Sequence, residues 1–142
     1  MTNDQPLFHA ELHYQPGAPA VQLHDGSSNG TSPLGSGEGV VRGTTLQGRV
    51  KWSLFEVQGP ICETNLVGVI TTEDGAQVEF ETRGYGVVPD PSRPQLWDMP
   101  AVVRFWTGSP AYQWLNTTLA VWEGMFDMRQ GVHTYQAYYQ KR

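Results

Sequence analysis

Three polar side chains at two-residue spacing, Glu81, Arg83 and Tyr85, are the first place in this chain to look for chemistry. In an extended segment that spacing puts all three on one face. A guanidinium beside a phenol can hold a carboxylate or an enolate oxygen through charge-assisted hydrogen bonds, and the glutamate can move a proton. The plain alternative is a structural Arg–Glu pair across a sheet. Arg104 and Trp106 share a face in the same way, and Tyr112, Trp114 and Asn116 follow closely. Aromatic rings with a few polar groups hold small apolar ligands, although the same rings serve equally well in a core or a subunit interface. His9, Glu11 and His13 also alternate onto one face, and two imidazoles with a carboxylate can bind iron or zinc. Such a set needs a ligand from a second element, for which His133 is the candidate. Its more ordinary reading is the wet side of an edge strand, so the expectation is no metal and no other cofactor.

Several familiar devices are incomplete. The run Gly35-Ser36-Gly37-Glu38-Gly39 has neither the following Lys-Ser or Lys-Thr nor the helix that a phosphate loop requires. Cys62 has no base near it in sequence, so an inert thiol is expected. No Gly-x-Ser-x-Gly elbow is present. Asn29-Gly30-Thr31 and Asn116-Thr117-Thr118 fit the glycosylation pattern, which carries no weight without secretion.

The elements that must position these residues read as strands. Phe8, Ala10, Leu12 and Tyr14 alternate with His9, Glu11 and His13. The stretch from His24 to Gly39 is small, polar and glycine-rich and reads as a flexible loop. Val40 to Val57 reads as a strand region punctuated by Gly43 and Gly48, turning at Gln58-Gly59-Pro60. Leu66 to Thr72, the tight hairpin signal Glu73-Asp74-Gly75 and Ala76 to Tyr85 follow. Residues 86–100 contain Pro89, Pro91, Pro94 and Pro100, which excludes a central strand and suggests a lid over a binding site. Ala101 to Thr107, Trp114 to Glu123 and Val132 to Tyr139 complete the set; His133, Tyr135, Ala137 and Tyr139 share a face of the last. A chain of 142 residues with seven or eight hairpin-linked strands predicts one all-β domain, a small antiparallel barrel, with a sandwich as the alternative.

Charge narrows the partners. The net charge is −5 with both signs scattered, which argues against nucleic acid and against an anionic membrane surface. One cysteine excludes an internal disulfide, and Met1 to Pro6 lacks a signal pattern, so a cytoplasmic location is expected.

Three segments carry a resemblance. The first is Gly39-Val40-Val41-Arg42-Gly43-Thr44-Thr45-Leu46-Gln47-Gly48 with the strand around Trp52. The second is Thr72-Glu73-Asp74-Gly75-Ala76 with Arg83-Gly84-Tyr85-Gly86. The third runs from Arg104 through Phe105-Trp106-Thr107-Gly108-Ser109-Pro110 to Asn116. In this order they resemble the domain-of-unknown-function 3237 family, from about Pro6 to Glu123. The resemblance implies a small β-barrel and a homodimer, and it adds Lys51 and Trp52 to the ligand-binding candidates Trp106, Tyr112, Trp114 and Asn116. It also strengthens Arg83, with Glu81, Tyr85 and Arg104, as the catalytic candidates. The chain departs from the family where Lys51 replaces an acidic residue before the tryptophan and where Trp106 replaces a glutamate. The segment from Met125 to Arg142 matches no pattern of the resemblance.

The combined expectation is a cofactor-free isomerase, cyclase or lyase that binds a small aromatic or polyketide-like molecule inside the barrel. Arg83 and Arg104 would polarise an oxygen, and Glu81 or Tyr85 would move a proton. That role requires the Arg83 face to point inward, where a cation needs partners; pointing outward, Arg83 is a solvated surface residue. The alternatives are a non-catalytic small-molecule binding protein using the same pocket, and a structural dimer with no cavity.

Overall fold

In this computed structural model, residues 5–26, 32–57 and 61–139 are described. The strands are β1 (Phe8–Tyr14), β2 (Gly35–Arg42), β3 (Gly48–Val57), β4 (Glu63–Thr71), β5 (Gln77–Tyr85), β6 (Leu96–Asp98), β7 (Ala101–Trp106), β8 (Leu119–Asp127) and β9 (Val132–Tyr139). All pairings are antiparallel, in the order β6-β8-β7-β5-β4-β3-β2-β1-β9, and β9 pairs back onto β8. Strands β1–β5 and β7–β9 therefore close an eight-stranded barrel, while short β6 extends β8 beyond the start of β7. Closure leaves the ring no free edge. Among the described residues no helix is long and apolar enough to cross a membrane.

The alternation seen in the sequence decides which side chains enter the barrel. Phe8, Ala10 and Leu12 of β1, Val50, Trp52 and Leu54 of β3, Val78 and Phe80 of β5, and Ala101, Val103 and Phe105 of β7 are buried in one continuous core. A small barrel has room inside for side chains of one face only, and the apolar face takes it. A second, smaller cluster lies outside the ring: Val21 and Leu23 pack on Phe55 and Val67. The segment before β2 is thus a strap laid across the outer wall, held by the Val21 amide donating to Ser53 Oγ at 2.8 Å. At the β4–β5 hairpin the turn works because Gly75 takes φ +87°, a left-handed conformation open to glycine.

Three boundaries and the placement of one side chain differ from the sequence reading. The loop expected over 24–39 ends before β2, because residues 35–39 are ladder residues; the absence of side chains at Gly35, Gly37 and Gly39 lets the strand lie close to Tyr14, His13 and Leu12 of β1. Residues 27–31 of that loop, with the Asn29-Gly30-Thr31 site, and the Gln58-Gly59-Pro60 turn lie outside the described residues. The single strand region Val40–Val57 is two strands, β2 and β3, joined by a turn over residues 43–47. The strand read from Trp114 begins at Leu119, since Pro110–Thr117 forms a 3₁₀ helix with Pro110 in its first turn. Tyr14, grouped with the inward residues of β1, is 46% exposed because it lies at the strand's end.

The two ends of the ring differ. At the end where β2, β4 and β8 meet their preceding or following turns near Arg42, Thr71 and Leu119, Leu46 and Leu115 close the core and both are almost fully buried. Asn116 fixes the 3₁₀ helix there: its Oδ1 accepts from the Thr107 amide at 2.8 Å and its Nδ2 donates to the Thr107 carbonyl at 3.0 Å. At the opposite end, marked by Tyr14, Gly35, Glu63, Tyr85, Asp127 and Val132, the proline-rich segment 86–100 folds over as a small hairpin. Its Val87 and Asp98 pair, the Met99 amide donates to the Gly124 carbonyl at 3.1 Å, and the Gly86 amide donates to the Cys62 carbonyl at 2.9 Å.

Candidate active site

β9 carries the most unusual chemistry in the barrel. The sequence Val132-His-Thr-Tyr-Gln-Ala alternates, and the strand's neighbours β1 and β8 are apolar on their inner faces. The pairing therefore turns His133, Tyr135 and Ala137 inward, and all three are buried. His133 pairs in register with Leu12 and Phe126, one layer in from the segment 86–100 end. Tyr135 pairs with Gly124, where any Cβ would overlap the Thr134 carbonyl and the Tyr135 ring. Glycine at 124 is what lets that ring lie against β8.

His133 Nδ1 stands 2.6 Å from the Tyr135 hydroxyl. Nε2 is buried and has no hydrogen-bond partner, the one such side-chain nitrogen or oxygen among the described residues. Aromatic rings form the walls. Phe126 stacks on the imidazole at 4.0 Å, Trp52 meets it edge-on at 5.0 Å, and Trp122 lies flat on Tyr135 at 4.2 Å. Trp52 is itself anchored by donating from Nε1 to the Glu38 carbonyl at 3.2 Å.

The electrostatics follow from burial. Desolvation pushes the His133 pKa down to about 3 and raises that of Tyr135 far above its usual range. Both groups are neutral at ordinary pH. No Asp, Glu, Lys or Arg among the described residues is buried, so nothing charged faces the pair from inside the ring. The neutral pair has two proton arrangements. With the tyrosine donating to Nδ1, Nε2 carries a proton and is a donor; with Nδ1–H donating to the tyrosine, Nε2 is an open lone pair. An unpaired buried polar atom costs about 1–3 kcal/mol.

The residues singled out in the sequence mostly lie elsewhere. β5 turns Val78, Phe80 and Thr82 inward, which sends Glu81, Arg83 and Tyr85 to the outer wall. Glu81 and Arg83 make a 3.3 Å ion pair there, with the arginine side chain 62% exposed. Arg104 is Glu81's exposed cross-strand neighbour on β7. An inward Arg83, on which its expected catalytic role depended, is thus corrected: the apolar face of β5 fills the interior. Lys51 is exposed beside Trp52, which alone of the expected ligand-binding set is fully buried in the core. Trp106 is outside and stacks on His24 of the strap at 3.7 Å, with His24 Nδ1 2.8 Å from Glu79 Oε1. Tyr112, Trp114 and Asn116 belong to the 3₁₀ helix at the far end; Tyr112 packs on the core, Trp114 is exposed and Asn116 holds Thr107. These residues do not converge on one point.

His9, Glu11 and His13 lie on the outer face of β1, where His13 Nε2 is 3.1 Å from Glu11 Oε2. His133 points to the opposite side of the sheet, so it cannot complete their set. Among the described residues no group of three His, Cys, Asp or Glu side chains is gathered as a metal would need. His9 and Glu11 instead border a groove of about 490 Å³ with Arg42, Glu123 and Gln136. The signal for His133 was present in the sequence as an imidazole in the same alternating face as Tyr135 and Ala137; what the sequence did not reveal was that this face points inward.

Solved structures share this barrel. A β-barrel-like protein from Acinetobacter baumannii matches with a TM-score of 0.69 at 21% identity, covering 99% of this chain and 97% of that one. A protein of unknown function from Rhodopseudomonas palustris matches with a TM-score of 0.67 at 19% identity, covering 98% and 97%. A protein described as an enzyme, from Penicillium herquei, matches with a TM-score of 0.60 at 19% identity, covering 96% and 94%. At these identities the likeness is one of fold. No protein with a curated description matches the chain. The sequence pattern of the family described as "Protein of unknown function (DUF3237)" matches residues 4–140, extending past the three signatures to take in all of β9 and its histidine, and the chain belongs to that family.

Proposed function

We propose that this protein is a cofactor-free enzyme of the isomerase, cyclase or lyase type, acting on a small aromatic or polyketide-like molecule at the His133–Tyr135 end of the barrel. The observation that carries the reading is the buried, unpartnered Nε2 of His133, set among aromatic rings and oriented through Nδ1 by Tyr135. A base oriented by a second group is the usual construction of a proton-transfer site. In the elementary step the C–H proton beside a carbonyl passes to Nε2, leaving an enolate opposite an imidazolium. Nε2 then returns that proton to the enolate oxygen, giving the enol. No net charge is created in the dry interior at any stage. The likeness to a protein described as an enzyme is in keeping with this reading.

The test is keto–enol interconversion of neutral aryl ketones and 1,3-diketones, benzoylacetone first, followed by enol absorbance. Positioned acid–base groups contribute about 100- to 10,000-fold, so His133→Phe is expected to lose at least about 100-fold of any acceleration while remaining folded. Equal rates from a folded His133→Phe protein would sink the proposal, as would a wild-type protein that accelerates no member of the panel. A non-catalytic binding protein is the second reading, favoured by a wall that is apolar apart from the His133–Tyr135 pair; it predicts binding without turnover. The homodimer implied by the family is tested separately by light scattering, where a species of one chain mass would end it.

A further inference from the structure

We infer that the ligand of the His133 site is uncharged, flat and apolar apart from one hydrogen-bonding oxygen, and that it enters at the end of the barrel covered by residues 86–100. This rests on the reading of His133 as a functional group and adds what it recognises. Three observations converge on it. The first is the interior itself. No carboxylate, ammonium or guanidinium among the described residues is buried, so a ligand charge carried to Nε2 would have no counter-charge there. An unpaired charge in such surroundings is strongly disfavoured. A neutral oxygen instead satisfies an atom that is otherwise unmet.

The second is the shape of the walls. The imidazole lies parallel to Phe126, at an interplanar angle of 11°, and Tyr135 lies parallel to Trp122, at 2°. Each pair is in stacking contact, so the walls are flat aromatic surfaces that favour a planar guest lying beside them. The third is the distribution of exposed apolar side chains. Tyr14, Leu34, Ile61, Tyr85, Val87 and Met128 are each 46–62% exposed. They come from different turns, yet every one sits at the end of the ring nearest His133. At the opposite end Trp114 and Leu119 are also exposed, but there Leu46 and Leu115 are almost fully buried and close the core beneath them. The rim at the His133 end carries the apolar side chains named above, and the hairpin 86–100 within it, closed on itself by Val87 and Asp98, is joined to the rest of the barrel by backbone bonds between Gly86 and Cys62, Met99 and Gly124, Tyr85 and Pro100, and Met128 and Gln95. Leu96 to Asp98 adds a short β6–β8 pairing.

The experiment is equilibrium binding followed by tryptophan fluorescence, since Trp52 and Trp122 both border the site. Three probes of one ring system separate the contributions: 2-naphthol offers a neutral hydroxyl, naphthalene none, and 2-naphthoate a negative charge. The wild-type protein is expected to bind 2-naphthol about tenfold more tightly than naphthalene, the worth of one buried hydrogen bond, and to bind 2-naphthoate more weakly than either. His133→Phe should erase the preference for 2-naphthol over naphthalene while leaving naphthalene binding intact. Should that variant fail to fold, Tyr135→Phe keeps both rings and removes the partner of Nδ1, and the preference should fall there too. Tighter binding of 2-naphthoate, an unchanged preference in either variant, or no saturable binding of any probe would overturn the inference. Because the readout is binding, a catalytic failure is distinguishable: 2-naphthol recognition through His133 with no turnover of any ketone would reject the enzyme and keep the ligand class.

Discussion

The same eight strands finish in two different ways. At one end Leu46 and Leu115 plug the core and Asn116 bonds both backbone groups of Thr107, with Trp114 and Leu119 exposed outside that plug. At the other end a buried imidazole is left with an open nitrogen, and a rim of exposed apolar side chains surrounds it. Among the described residues, the difference is between an end whose buried polar side chains are all paired and an end where one buried nitrogen has no partner.

The sharpest way to break the comparison is at the sealed end. Leu115→Ala should destabilise the protein by about 2–5 kcal/mol, measured by chemical denaturation, while a folded fraction retains its affinity for 2-naphthol. A large change in affinity would mean that the two ends are not separate. Next in size is the pH dependence conferred by His133. Its folded pKa, lowered to about 3, lies below the unfolded value of 6.5, so between these pH values the unfolded chain binds the extra proton. This contribution is fully present above the unfolded value and is lost as pH falls, at up to about 1.4 kcal/mol per pH unit. Denaturation midpoints should drop across that window in the wild type and drop less steeply in His133→Phe; parallel curves would show that the histidine is solvated.

A smaller effect is expected from Asn116→Ala, about 1–2 kcal/mol from two lost backbone partners at a partly wet site, with no change at the open end. The smallest is Arg83→Met. An ion pair this exposed contributes between about 0 and 1 kcal/mol, and neither binding nor any turnover should change. A large loss of function there would return the site to the outer wall.

Period-two alternation made the barrel readable because one face of each strand had to fill the interior, and Phe8, Val50, Val78 and Val103 do so. The site was harder to read for the same reason. Glu81, Arg83 and Tyr85 looked like chemistry because they are polar together, yet polar residues that alternate with Val78 and Phe80 are sent outside by that alternation. His133 was inconspicuous because it alternates with apolar residues, which is what placed it inside. Gly35–Gly39 misled in another way: a glycine run reads as a loop, but these glycines are strand residues lying close against β1. The Pro110–Thr117 turn was hidden by its own Tyr112 and Trp114, aromatic residues that favour strand in isolation.

The seam between β1 and β9 carries a kinetic consequence. Phe8 pairs with Ala137 and Leu12 with His133, so the ring is closed by residues from nearly opposite ends of the chain. Hairpins such as β4–β5 form from neighbours, but this pairing must wait until most of the polypeptide has been ordered. Chains dominated by such distant contacts fold in roughly milliseconds to seconds. The β8–β9 hairpin sets His133 opposite Phe126 locally, but the β1 wall against it, Leu12, arrives only with that distant pairing. Adding 2-naphthol should therefore slow unfolding far more than it speeds folding.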